Sequence, residues 1–283
     1  MLFSERNKII PSKEIMIDGI TKSCRNRLIN TITIFFENDL DADALKDLYL
    51  FAYDKFGKKI DYEVIAELPD YLEEDLITTI NEDWDDFSWN TCFDFVEIIL
   101  KFDYKAHEYY QEALKELKIK VNCILSDEKI GYRIINNQIT NITNEEEIHE
   151  LETAMDSIFT SVDNHIEKAL KFFSDRKNPD YKNSIKESIT AVESMCCIIC
   201  GKNVELGKAL GKLEKNGIYI HGAMRSSFQS LYGYTSDESG IRHGGFEDKE
   251  VTEEDARFML VTCSAFINYL KIKYEKIGGN ENG

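Results

Sequence analysis

Residues 131–142 read GYRIINNQITNI, and this short stretch decides the fold. On either side of it apolar residues recur every three to four positions. Here β-branched residues flank the pair Asn136-Asn137 instead. Asparagine tolerates the positive φ that a tight hairpin turn demands, so the stretch is predicted to be a small β-hairpin. A lone hairpin is marginal in water and must lie against a larger body. The change of period also marks a boundary. The expected architecture is mainly α: a helical domain over 1–125, the hairpin and linker over 126–144, and a helical bundle over 145–283.

Before the hairpin the helical signals come in series. Ile20–Phe36 places Leu28, Ile32, Phe35 and Phe36 on one face, with Arg25 and Arg27 expected on a solvated one. Asp41–Phe56 repeats Leu45, Leu48, Ala52 and Phe56, and Gly57 stands where a C-terminal cap belongs. Pro69 opens a helix expected to run through Ile80, with Glu73, Glu74 and Asp75 in its first turns. The segment from Asp83 to Trp89 mixes both tryptophans with three aspartates. A docking patch or cation site is one reading; rings on the core with acids facing water is the better one. Helices Phe87–Phe102 and Tyr104–Leu117 complete this half, which shows no catalytic constellation.

After the hairpin, Asn144 and three glutamates open a helix expected to continue to about Phe173 through Ile148, Leu151, Met155, Ile158, Phe159 and Val162. Pro179–Cys200 follows, with Ile185, Ile189, Val192 and Met195 as its buried stripe and Glu187 and Glu193 close enough to it to be partly buried. Leu206–Lys215 ends at Asn216-Gly217, and Gly222–Leu231 carries Arg225. The last helix is capped by Thr252, with Glu253, Glu254 and Asp255 in its first turn. The polar tail after it, 277–283, is expected to fray.

Composition narrows the function classes. Only 3 prolines in 283 residues fits helix, and 43% hydrophobic with 30% charged residues fits a soluble protein with a real core. A net charge of −18 argues against a broad nucleic-acid footprint, though not against a narrow cleft with its own basic groups. No signal peptide, transit peptide or membrane-length apolar run is apparent, so the expected location is the cytoplasm. The 7 cysteines are odd in number and scattered, which suits reduced core thiols. Cys197 and Cys200 have metal-ligand spacing, but no second pair completes a tetrahedral site. Neither a metal nor a cofactor is expected.

The stretch that invites chemistry is 232–245, YGYTSDESGIRHGG, small and polar between helical segments. Ser236 with Asp237 and Glu238 reads as a helix N-cap with acids in the first turn, and His243 would lie two turns on. A histidine-centred site and a capped turn with a structural histidine both fit these residues. A metal site of His243, Asp237 and Glu238 lacks any standard ligand spacing.

Two regions carry a family resemblance. Residues 2–30, LFSERNKIIPSKEIMIDGITKSCRNRLIN, resemble the N-terminal domain of AbiJ-like bacterial abortive-infection proteins, which defend against phage. The hairpin, YKNSIKESITAVESMCCIIC at 181–200, the GIRHG turn at 240–244 and the closing helix resemble a HEPN domain. The resemblance implies an antiparallel helical bundle that dimerises and cleaves RNA without a metal. In such domains an arginine, a polar residue and a histidine four to six positions later meet their counterparts across a dimer cleft. The histidine moves the proton of a ribose 2′-hydroxyl and the arginine clamps the phosphate it attacks.

Here the arginine departs from that pattern. Counting back from His243, its places are held by Ser236, Asp237 and Glu238. Arg242 is adjacent to His243 and would point about 100° away on a helix, so it would serve only across a twofold axis. Arg225 is the other candidate. The resemblance therefore implies His243, Arg242 and Arg225 as the catalytic set, with Ser236 and Asp237 against the substrate. The implied partners are RNA, a second copy bound through the C-terminal domain, and a phage-derived trigger. The competing implication is a non-catalytic HEPN defence protein that binds RNA, a nucleotide or a protein partner.

Overall fold

A computed structural model describes residues 15–58, 72–104, 108–155, 158–175, 178–201, 206–236 and 251–278. Among them are eleven α-helices and one two-stranded antiparallel sheet. The chain divides into two compact units, 1–143 and 144–283. No described helix is long and apolar enough to cross a membrane.

The first unit is built from α1 (Lys22–Asp39), α2 (Ala42–Lys55), α3 (Leu72–Asp86), α4 (Trp89–Lys101), α5 (Glu108–Asp127), β1 (Arg133–Ile135) and β2 (Gln138–Thr140). The starts of α1, α2 and α4 are marked chemically, α4 by Ser88, whose hydroxyl accepts from the Thr91 N–H at 3.4 Å. The Thr21 hydroxyl accepts from the Cys24 N–H at 2.9 Å, and the Asp41 carboxylate accepts from Ala44 at 2.8 Å. The end of α2 is marked by Gly57 at φ 63°, just past the C-cap Phe56. The core gathers Leu28, Ile32 and Phe36 of α1 with Leu45 and Leu48 of α2, Ile80 and Trp84 of α3, and Phe95 and Ile99 of α4.

Helix α3 runs a turn and a half beyond the expected Ile80, because Trp84 extends its apolar face into this core. Its neighbours Asp85 and Asp86 face solvent, as expected. Asp83 differs: it accepts from the Tyr53 hydroxyl and is only partly exposed. Arg25 also departs from the solvated face predicted for it. Its guanidinium reaches across to α3 and α4, donating to the Trp84 carbonyl at 2.7 Å and to the Cys92 sulfur at 3.2 Å. Arg27, half exposed, donates to Asp127 at 2.8 Å and to the buried Glu128 at 3.4 Å.

The hairpin forms as predicted. Its register pairs Arg133 with Thr140, Ile134 with Ile139 and Ile135 with Gln138, and Asn136 and Asn137 sit at φ 45° and 61°. The first unit supplies the body it needs. The Asn122 side chain both donates to the Ile134 carbonyl (2.9 Å) and accepts from the Ile134 N–H (2.7 Å), completing an edge as a neighbouring strand would. Glu97 accepts from the Ile139 N–H at 2.6 Å. Outward backbone groups of both strands thus find side-chain partners, and Ile134 enters the core. Asn137→Val is expected to cost about 1–3 kcal/mol, since a β-branched residue resists that positive φ. A urea titration beside Asn137→Gly, which should be neutral, checks it.

The second unit contains α6 (Glu145–Met155), α7 (Thr160–Ser174), α8 (Tyr181–Cys200), α9 (Leu206–Leu210), a 3-10 turn at Leu213–Asn216, α10 (Gly222–Ser236) and α11 (Glu253–Gly278). The single long helix expected from Asn144 to about Phe173 is in fact two. Phe159 takes the non-helical pair φ −97°, ψ 67°, and Ile158 is 90% exposed. The stripe is continuous in sequence, but α6 packs chiefly on α11 while α7 packs chiefly on α8. One straight rod would not serve both partners. The helix expected over Leu206–Lys215 likewise divides into α9 and the 3-10 turn, which closes at Gly217 with φ 84°. A Cβ there would stand 3.2 Å from the Ile277 side chain. The tail 279–283 lies outside the described residues.

Candidate functional site

Helices α7 and α8 zip together in opposite directions: the Asp180 N–H bonds the Phe172 carbonyl, and the Ser184 hydroxyl bonds the Ala169 carbonyl at 2.8 Å. One turn further, that register brings His165 of α7 against Glu187 of α8, Nδ1 to carboxylate oxygen at 2.6 Å. The two side chains keep 25% and 18% of their exposure. A carboxylate at Nδ1 fixes the orientation of the imidazole. The expected partial burial of Glu187 holds, and Glu193 is half-buried too. His165 has no signal in local spacing, being 22 residues from its partner. The clue is Glu187 itself, since an acid beside a core stripe needs a donor. Glu187→Ala is expected to lower stability by about 1–3 kcal/mol through the unsatisfied imidazole. A thermal melt that does not move would show the pair to be fully replaced by water.

The stretch 232–245 begins inside a helix. Helix α10 continues past the expected Leu231 to Ser236, anchored by Phe228 stacked on Phe266 at 3.5 Å between ring centroids. Ser236 is the last described residue of this helix. It has helical backbone, which an N-cap residue does not, so the predicted cap at this position is wrong. Arg225 lies in the first turn of α10, half-buried, its backbone N–H bonded to the His221 carbonyl at 3.0 Å. The other members of the predicted set, Asp237, Arg242 and His243, lie outside the described residues.

Elsewhere the described residues offer less. In the first unit a cleft of about 210 Å³ is walled by Phe102, Tyr104 and Tyr110 and by four aspartates: 41, 43, 47 and 103. Its carboxylates repel phosphate, and Asp41 is already engaged, capping α2 and accepting from the Tyr110 hydroxyl at 2.6 Å. Among the described residues no group of three or more His, Cys, Asp or Glu is arranged to hold a metal ion. No disulfide joins the seven cysteines, all of which are described. Burial pushes the Cys92 thiol up to about 11 and that of Cys263 to about 12, so both stay protonated and unreactive at neutral pH.

The family described as AbiJ N-terminal domain 4 matches residues 1–157, covering the whole first unit and α6 of the second. No curated protein and no solved structure matches the chain. With more than half of its residues in that match, the chain belongs to the AbiJ N-terminal domain 4 family.

Proposed function

We propose that this member of the AbiJ N-terminal domain 4 family is a bacterial antiphage effector of the abortive-infection kind, whose C-terminal unit dimerises and cleaves RNA without a metal. Membership of the family is the observation that carries the defence role. The RNA step is supported by the likeness of 240–244, GIRHG, and of the helices around it to a HEPN domain.

In this reading His243 takes the proton of a ribose 2′-hydroxyl as its oxygen attacks the adjacent phosphorus. The bond to the 5′ oxygen breaks and that oxygen is protonated, leaving a 2′,3′-cyclic phosphate and a 5′-hydroxyl. Arg242 or Arg225 offsets the charge gathering on the phosphate. Ser236 and Asp237 contact the substrate. Two protomers related by a twofold axis double a histidine and arginine set that is sparse in one chain.

A second reading is favoured by one specific observation. Ser236, Asp237 and Glu238 occupy every place where the arginine of the HEPN pattern belongs. On that reading the C-terminal unit binds RNA, a nucleotide or a phage-derived protein without cleaving. Expression in growing bacteria, with and without phage, separates the two. New 5′-hydroxyl ends in total RNA that vanish with His243→Ala support cleavage. Protection from phage without new ends supports the binding module, and no protection in either case removes the defence role.

A further inference from the structure

Helix α11 is apolar on two sides. One side enters the core through Ala256, Met259, Leu260, Cys263, Phe266, Ile267 and Leu270, all buried. The other carries Phe258 at 59% exposure and Ile272 at 54%, with Ala265 exposed midway between them. At about 100° per residue, Phe258 and Ile272, seven positions either way from Ala265, lie within about 20° of it. Half-buried Val261 and Tyr269, four positions either way, lie within about 40°. Exposed Glu254 and Lys276, eleven positions either way, return to about 20°. The stripe spans roughly 33 Å at 1.5 Å per residue. A helix that is apolar on both sides needs a neighbour on both.

The order of residue types along this stripe identifies the neighbour. From Ala265 outward each position has a complement at the same distance on the other side: aliphatic against aromatic, then aromatic against aliphatic, then acid against base. We infer that a second copy of the chain packs on this stripe, with the two α11 helices antiparallel about a twofold axis at Ala265. Phe258 then meets Ile272 of the other copy, Val261 meets Tyr269, and Glu254 pairs with Lys276, each contact occurring twice. Alanine at the crossing lets the helices approach closely, and spacings of three and four suit interlocking side chains. A parallel arrangement would set Glu254 against Glu254 and align the helix dipoles head to head, so charge selects the antiparallel one.

This deepens the dimeric part of the proposed function and rests on it, and the test keeps the two apart. Sedimentation equilibrium of the full chain at micromolar concentrations should show dimer. Phe258→Glu, on an exposed side chain, should weaken dimerisation at least about tenfold while circular dichroism and the melting temperature stay unchanged. Glu254→Lys and Lys276→Glu should each weaken it several-fold, and the two together should restore it. Mixed Phe258→Cys and Ile272→Cys chains should cross-link to each other under mild oxidation, above the background of wild type. A dimer indifferent to Phe258→Glu overturns this face but leaves the dimeric reading standing. Cross-linking of Phe258→Cys only to itself overturns the antiparallel register. A wild-type chain that stays monomeric throughout overturns both the face and the dimeric reading.

Discussion

His243→Ala is expected to lower RNA cleavage by about 10²–10⁴-fold, the usual contribution of a positioned proton carrier, while the melting temperature stays where it was. The two halves of that expectation have different origins. A histidine that acts on substrate is kept for a proton it moves, so its loss appears in rate. A histidine that holds a turn is kept for a hydrogen bond, and losing it would cost about 1–3 kcal/mol of folding free energy. Cleavage of a defined RNA, measured beside a melt of the same preparation, tells them apart. Lost cleavage with an intact melt supports the catalytic reading, and a lowered melt with proportionate loss of every function supports the structural one. Arg242→Ala and Arg225→Ala then identify the phosphate partner, since only the arginine in use should lower cleavage without unfolding. Full cleavage and full stability in all three variants would remove 232–245 from the mechanism.

What the sequence makes legible follows the range of the forces involved. The Thr252 cap of α11, the Gly57 stop of α2, the positive-φ asparagines and the stripe of α8 are set by neighbours within a few residues, and all can be read locally. The break at Phe159 cannot, because the apolar stripe is unbroken there and only the choice of partners, α11 for α6 and α8 for α7, decides it. Arg25 fails for the same reason. With Arg27 it flanks the polar Asn26 and so looks solvated, yet the groups it satisfies lie 59 and 67 residues away. The candidate site divides likewise. Glu187 announces its burial by its place beside a stripe, while His165 becomes its partner only through the register of two helices. His243 stands on the likeness of its turn to a motif, which supplies a role without supplying a geometry.

Trp84→Ala should cost about 3–5 kcal/mol, the range for removing a large buried aromatic, and a large part of the roughly 5–15 kcal/mol that holds an ordinary domain together. Trp84 is 1% exposed and packs against Phe87 and Phe95, with ring centroids 6.0 and 6.2 Å away. Its indole N–H donates to the Arg25 carbonyl at 3.1 Å, while the Arg25 guanidinium returns a bond to the Trp84 carbonyl. The ring therefore links α1, α3 and α4, and truncation opens a void that three helices must collapse together to fill. Trp84→Phe separates volume from hydrogen bonding. It keeps most of the packing and loses only the N–H, so it should cost much less than alanine. Half-buried Trp89 survives in both variants as a fluorescent reporter for the first unit in a urea titration. A loss below about 1 kcal/mol for Trp84→Ala would mean that the core does not depend on this side chain. The acidic-aromatic segment around it would then need its functional reading back, since burial would no longer explain the tryptophan.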